Sequence, residues 1–181
     1  MKNVLRTLMM ATLLAGAFAL PALADDTLVK FKGGIGVIPV SSGVVPAQTQ
    51  PLTADAVNRN FVRGVNPPGQ IWVISDLSAD VKTSGRIKIK GKGLLLGGGN
   101  NIGGNGNASV FATLICEAAA PFVERSTNPA GVPLDPNGDF RIDDRLDPAP
   151  YGCESPVLLV RNAANRAWFA AGIPKRENDD D

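Results

Sequence analysis

The chain has 181 residues with 18 basic and 17 acidic side chains, and it contains no histidine. The absence of histidine excludes Ser-His-Asp and Cys-His catalysis within this chain, and it removes the commonest zinc ligand. The formal net charge of +1 gives no general reason to bind nucleic acid, so no nucleic-acid partner is predicted.

The first 24 residues have the pattern of a cleaved secretory signal peptide. Lys2 and Arg6 precede an apolar run over Leu8–Leu20, and the small residues Ala22 and Ala24 stand where signal peptidase cuts. An uncleaved membrane anchor is the alternative, because the apolar stretch is close to the length of a short span. The small-residue site favours cleavage. We therefore expect an exported protein, periplasmic or extracellular, with no transmembrane segment after cleavage.

Cleavage after Ala24 removes 24 of the 181 residues and leaves 157, which is enough for one domain. Extended segments recur between Gly, Pro and Asn, and no long stretch has the period of a helix. This spacing predicts an all-β domain over residues 25–174, an antiparallel β-sandwich or partly closed barrel of about eight strands. Residues 175–181 are predicted to form a disordered charged tail. The predicted strands are Leu28–Ile38, Val57–Val65, Gln70–Lys82, Arg86–Leu96, Ser109–Ala118, Asp139–Leu146, Pro156–Asn162 and Arg166–Ile173.

One hairpin can be predicted in register. Thr83 and Ser84 precede Gly85, and the three residues suit a short loop with the glycine in the left-handed region. Apolar pairs then fall on one face of the hairpin and opposite charges on the other, as cross-strand pairing favours. The predicted pairs are Lys82–Arg86, Val81–Ile87, Asp80–Lys88, Ala79–Ile89 and Asp76–Lys92.

A basic stripe follows from the same hairpin. Lys88, Lys90 and Lys92 alternate along its second strand and therefore share one face. Such a stripe could bind polyanionic sugars, lipopolysaccharide or phospholipid headgroups. The simpler interpretation is a solvated face, partly neutralised by Asp76 and Asp80, on which lysine discourages edge-to-edge aggregation.

A run rich in glycine and asparagine extends from Gly97 to Asn107. It lacks the spacing of a phosphate-binding loop, and it is typical of a mobile connection between two strands. Its asparagine side chains could bind a sugar or a peptide backbone, although a connection without any ligand remains the alternative. The candidate binding residues in this run are Asn100, Asn101, Asn105 and Asn107.

Cys116 and Cys153 are the two cysteines of the chain. An even count in an exported protein predicts one disulfide, and without histidine or further cysteines a metal site built on them is not expected. Glu117 and Glu154 each follow a cysteine and would become neighbours through the bridge. A pair of carboxylates is the arrangement of a glycoside hydrolase.

The segment Asp135-Pro-Asn-Gly-Asp139, followed by Asp143 and Asp144, superficially matches the start of a calcium loop. Phe140 and Leu146 stand where the EF-hand pattern requires glycine and glutamate. The segment is therefore interpreted as a tight turn between strands, and no metal or cofactor is predicted.

Two later segments have distinct burial patterns. Phe140, Ile142 and Leu146 alternate with charged residues and are predicted to point inward, whereas Asp144 breaks the alternation and is expected near the rim or paired. The consecutive apolar residues of Pro156–Val160 predict a central strand buried on both faces.

Three segments resemble a group of exported bacterial proteins of uncharacterised activity. They are Trp72–Leu96, Phe140–Asp144 and Ala167–Pro174. The resemblance covers most of the chain after the leader. It implies export and supplies no catalytic residues.

These observations favour a non-catalytic binding, adhesive or envelope-associated β-sandwich module over an enzyme. Its partner would be a cell-envelope glycan or a protein, held by the asparagine-rich run and the lysine stripe. The alternative is a small secreted hydrolase that uses the carboxylates of Glu117 and Glu154.

Overall fold

The computed structural model describes residues 25–38, 40–42 and 57–175, which form an all-β fold without helices. The predicted all-β class is confirmed. The predicted signal peptide and tail residues 176–181 lie outside the described residues. No helix in the described part of the chain could cross a membrane. The strands are β1 (Thr27–Gly36), β2 (Val40–Ser42), β3 (Val57–Arg59), β4 (Trp72–Val73), β5 (Asp76–Lys82), β6 (Arg86–Lys92), β7 (Leu95–Leu96), β8 (Ser109–Ile115), β9 (Arg125–Ser126), β10 (Val132–Pro133), β11 (Phe140–Arg145), β12 (Val157–Asn162) and β13 (Trp168–Pro174).

One antiparallel sheet carries most of the fold, in the order β10-β8-β12-β13-β1-β5-β6-β11, with β9 also paired to β8. The sheet nearly closes on itself. The two edge strands, β10 and β11, meet at a seam. At one end of this seam the amide of Asp135 donates to the carbonyl of Asp139, and at the other end Ser126 and Asp147 exchange backbone hydrogen bonds. Pro133, in β10, has no N–H to donate to a strand ladder. Among the described residues, backbone hydrogen bonds therefore join the two sides of the seam between β10 and β11 only near its ends, and the sheet forms a partly closed barrel.

The predicted hairpin has the predicted register. Asp80 faces Lys88, Ala79 faces Ile89, and the other internal pairs agree as well. Gly85 has a φ of 85°, and its amide donates to the carbonyl of Lys82 at 2.9 Å. The left-handed glycine thus closes the three-residue loop, because a side chain at this φ would be strained.

The core fills the inside of the curved sheet. Phe140, Ile142 and Leu146 are buried as predicted, while Asp144 accepts a hydrogen bond from the amide of Asn128 at 2.8 Å. The central strand β12 is buried on both faces, also as predicted. The segment after β3 lies against the neighbouring strand β13, where the carbonyl of Asn60 accepts a hydrogen bond from the indole of Trp168.

The bridge between Cys116 and Cys153 is present, with α-carbons 4.5 Å apart. Cys116 follows β8 directly and Cys153 precedes β12, so the bridge ties together the ends of two paired strands. The amide of Ser155 also donates to the carbonyl of Cys116 at 3.0 Å. The predicted disulfide is confirmed.

The largest difference from the predicted strands lies at Val57–Val65, where the strand ends at Arg59. Val62 and Val65 instead exchange backbone hydrogen bonds across a tight turn in which Arg63 and Gly64 both have positive φ. The guanidinium of Arg63 donates to the carbonyls of Ile115 and Ser155. Tertiary hydrogen bonds therefore support a backbone conformation that arginine rarely adopts.

Candidate functional site

The outer surface of β1, β5, β6 and β11 is strongly basic. The pairing register sets the outward side chains of these four strands in rows across the sheet. Nine are basic and three are acidic, although the whole chain is close to neutral. We call this surface the basic face; its charged members are Lys30, Lys32, Lys82, Arg86, Lys88, Lys90, Lys92, Arg141, Arg145, Asp76, Asp80 and Asp143.

One row of the basic face alternates in charge. It runs from Lys30 through Asp80 and Lys88 to Asp143. The Nζ of Lys88 lies 3.0 Å from Oδ2 of Asp143, and Oδ2 of Asp80 lies 3.0 Å from the Nζ of Lys82. This row is an ordinary charge-balanced sheet surface.

The next row is different, because it contains no acid. It runs from Lys32 through Ser78 and Lys90 to Arg141, and Lys90 faces Arg141 directly. No carboxylate of the described residues lies within 4.0 Å of Lys32, Lys90 or Arg141. We call these four residues the unneutralised row. Like charges in directly opposite positions destabilise a sheet, so the row has an electrostatic cost that a bound anion would remove.

A shallow groove of about 380 Å³ lies on the same face. Lys30, Lys32, Lys88, Lys90 and Lys175 line it, together with Ser78 and Asp80. Five lysine side chains contribute to this one depression, and their positive charges give the surface around it a potential that attracts anions.

The basic side chains outside this face have structural partners. Arg125 pairs with Glu117, and Arg161, which is 6 % exposed, pairs with Glu124. Arg63 binds backbone carbonyls, as described above. The described arginines outside the basic face that donate to a carbonyl or carboxylate are Arg59, Arg63, Arg125, Arg161 and Arg166. The contrast marks the unneutralised row as a distinct feature.

No family model, curated protein or solved structure matches this chain.

The three lysines of the predicted stripe differ in their charged neighbours. Lys88 has a carboxylate partner, whereas Lys90 belongs to the unneutralised row and Lys92 lies opposite Asp76 at the end of β6. Sequence reasoning missed Lys32 and Arg141. Their alternation with inward apolar residues placed them on an outer surface, but the pairing of their strands with this hairpin had no sequence signal.

The asparagine-rich run is held by regular hydrogen bonds. Its turns include bonds from the amide of Gly103 to Leu96 and from the amide of Gly104 to Asn101. The side chain of Asn105 donates to the carbonyls of Leu134 and Asp135 and therefore has a structural role. The remaining candidates, Asn100, Asn101 and Asn107, are exposed.

The acidic residues of the calcium-like segment take part in different hydrogen bonds. The amide of Gly138 donates to the carbonyl of Asp135 at 2.8 Å, which is the predicted tight turn. Oδ1 of Asp139 accepts from the amide of Gly93, while Asp144 accepts from Asn128. Within residues 25–38, 40–42 and 57–175, no three Cys, Asp or Glu side chains cluster in a way that could hold a metal ion.

The carboxylate of Glu117 forms an ion pair with the guanidinium of Arg125. It accepts hydrogen bonds from Arg125 at 2.8 Å and from the amide of Val123 at 3.1 Å. The hydrogen bond from Arg125 lowers the pKa of Glu117 to about 2. Glycoside hydrolysis needs one carboxyl group that stays protonated near neutral pH, and a lowered pKa does the opposite. Glu154 is exposed.

Replacing Glu117 by glutamine is expected to make stability less dependent on pH. Because the folded-state pKa lies below the ordinary value of 4.5, the ionised carboxylate stabilises the fold fully above pH 4.5, and this contribution is lost as the pH falls towards 2. Urea unfolding should show a lower midpoint for E117Q at neutral pH, with the difference from wild type shrinking between pH 4.5 and 2. E154Q is the matched control. An unchanged E117Q difference across that range would contradict the ion-pair role.

Proposed function

We propose that this protein is an exported, non-catalytic binding module that holds an anionic cell-envelope glycan against its basic face. The observation that carries the proposal is the unneutralised row of Lys32, Ser78, Lys90 and Arg141. An anion bound across this row would replace repulsion between Lys90 and Arg141 by two attractive contacts.

The shape of the surface favours a polymer over a small molecule. The cations are spread over four strands of an open sheet surface, whereas small-molecule sites are concave and enclose most of the ligand. Adjacent strands lie about 4.8 Å apart, so the row from β1 to β11 spans about 14 Å. An extended chain carrying sulfate, phosphate or carboxylate groups could contact several of these cations at once.

The predicted location favours a glycan over nucleic acid. The leader pattern of residues 1–24 predicts export, and the disulfide suits an oxidising compartment. Anionic polymers in such a compartment include the charged polysaccharides of the cell envelope.

The proposal is tested with the chain expressed with its own leader and purified after processing. Calorimetric titration is performed with heparin and dextran sulfate as sulfated probes, with neutral dextran as the matched control, and with phosphatidylglycerol vesicles as a lipid probe. We expect binding to the two sulfated polymers, no binding to dextran, and weaker binding as salt is added, because exposed charges are screened over about 8 Å at physiological ionic strength. Absence of binding to both sulfated polymers, or binding to vesicles alone, would overturn the proposal.

A further inference from the structure

The described chain ends beside the basic groove. The amide of Lys175 donates to the carbonyl of Lys30 at 2.8 Å, and Pro174 is paired with Phe31. Lys175 also lines the groove together with Lys90. The residues that follow Lys175 therefore start at one side of the groove.

Those residues are acidic. The segment Arg176–Asp181 has the sequence Arg-Glu-Asn-Asp-Asp-Asp, with four carboxylates and one guanidinium. The basic face beside it has six more basic than acidic side chains. The two sets of charges are opposite in sign, and the acidic segment is joined to Lys175, which lines the groove.

The segment is long enough to cross the groove. Six extended residues span at most about 20 Å. Lys175 continues β13, which pairs with β1, so β6 is three strands away, or about 14 Å, while β11 is four strands away, or about 19 Å. Lys90 on β6 is within this reach, and Arg141 on β11 lies at its limit.

We infer that residues 176–181 bind in cis across the unneutralised row and act as a built-in competitor for the external ligand. A short covalent link gives such a segment an effective concentration on the order of millimolar. An external anion must displace the segment, so short or weakly charged chains are rejected and long, densely charged polymers are retained. The competing role rests on the proposed function, whereas the contact in cis does not.

The contact is tested without any external ligand. Carbodiimide treatment joins a lysine amine to a carboxylate that touches it, and peptide mass spectrometry identifies the pair. We expect links from the 176–181 segment to Lys32 or Lys90 in the monomer band, absent from the length-matched variant E177Q/D179N/D180N/D181N. Links found only in covalent dimers would assign the segment to a second copy and overturn the inference, as would links that avoid the basic face.

The competition is tested by heparin titration at low ionic strength. Deletion of residues 176–181 removes four acids and one base, a charge change of +3, and D26N/D147N/E154Q gives the same change outside the basic face. We expect the deletion to raise heparin affinity about fivefold, and the triple variant to raise it less than about twofold. Equal rises would overturn the competition. If neither form binds heparin while the intramolecular links are present, the proposed function fails and the contact in cis stands.

Discussion

Replacing Lys32, Lys90 and Arg141 together by glutamine is expected to weaken binding of heparin by roughly a hundredfold, since a basic side chain near an anionic surface contributes about 1 kcal/mol. The glutamines keep the length and much of the hydrogen-bonding capacity of the side chains, so the change removes mainly charge. The fold should be preserved, because the three residues are exposed and their replacement removes the repulsion between Lys90 and Arg141. Calorimetric titration at fixed salt measures the effect.

The matched control is K82Q/R86Q/K88Q. It removes the same charge from the same face, but each of these cations has a carboxylate partner, in Asp80, Asp25 and Asp143 respectively. We expect it to weaken heparin binding much less than the first variant. A nearly equal loss would mean that only the overall charge of the face matters. A K32Q/K90Q/R141Q variant that binds heparin like wild type would refute the role of the unneutralised row.

Removal of the disulfide through C116A/C153A is expected to lower the free energy of unfolding by about 3–4 kcal/mol, because the bridge closes a loop of 38 residues in the unfolded chain. For a domain of this size the melting temperature should fall by about 10 °C. Alanine fits this position because Cys116 is buried and a polar replacement would lack a partner. Urea unfolding and thermal melting measure the change.

A reductant supplies the control for this variant. Adding dithiothreitol should bring wild type to the midpoint of C116A/C153A and leave the variant unchanged. An oxidised wild type no more stable than the variant would show that the bridge contributes little. Expression without residues 2–24, in a reducing cytoplasm, should give free thiols and the lower midpoint, which connects the bridge to export.

Much of the fold could be predicted because its signals are local. The hairpin around Gly85 was predicted pair by pair, since one turn fixes the register of the two strands that it joins. The burial of β12 on both faces followed from its consecutive apolar residues. The disulfide followed from a count of two cysteines.

The strand boundaries that failed depended on distant partners. The valine and phenylalanine residues of Val57–Val65 suit a strand. Arg63 nevertheless turns the chain, because Ile115 and Ser155 accept hydrogen bonds from its guanidinium. The roles of two site candidates were decided in the same way. Asn105 is held by the carbonyls of Leu134 and Asp135, and Glu117 by Arg125. No spacing in the sequence indicates these contacts.

The order of residues alone was enough to predict an all-β domain, one hairpin in register, a single disulfide and a row of lysines along one strand. Which charged side chains become neighbours depends on how distant strands pair. Lys32 reaches the hairpin because β1 pairs with β5, and Arg141 because β11 pairs with β6. No short turn links either strand to this hairpin, so their registers depend on packing inward residues such as Phe31 and Ile142 into one core. Packing of the interior therefore placed two further cations in the same outward row as Lys90.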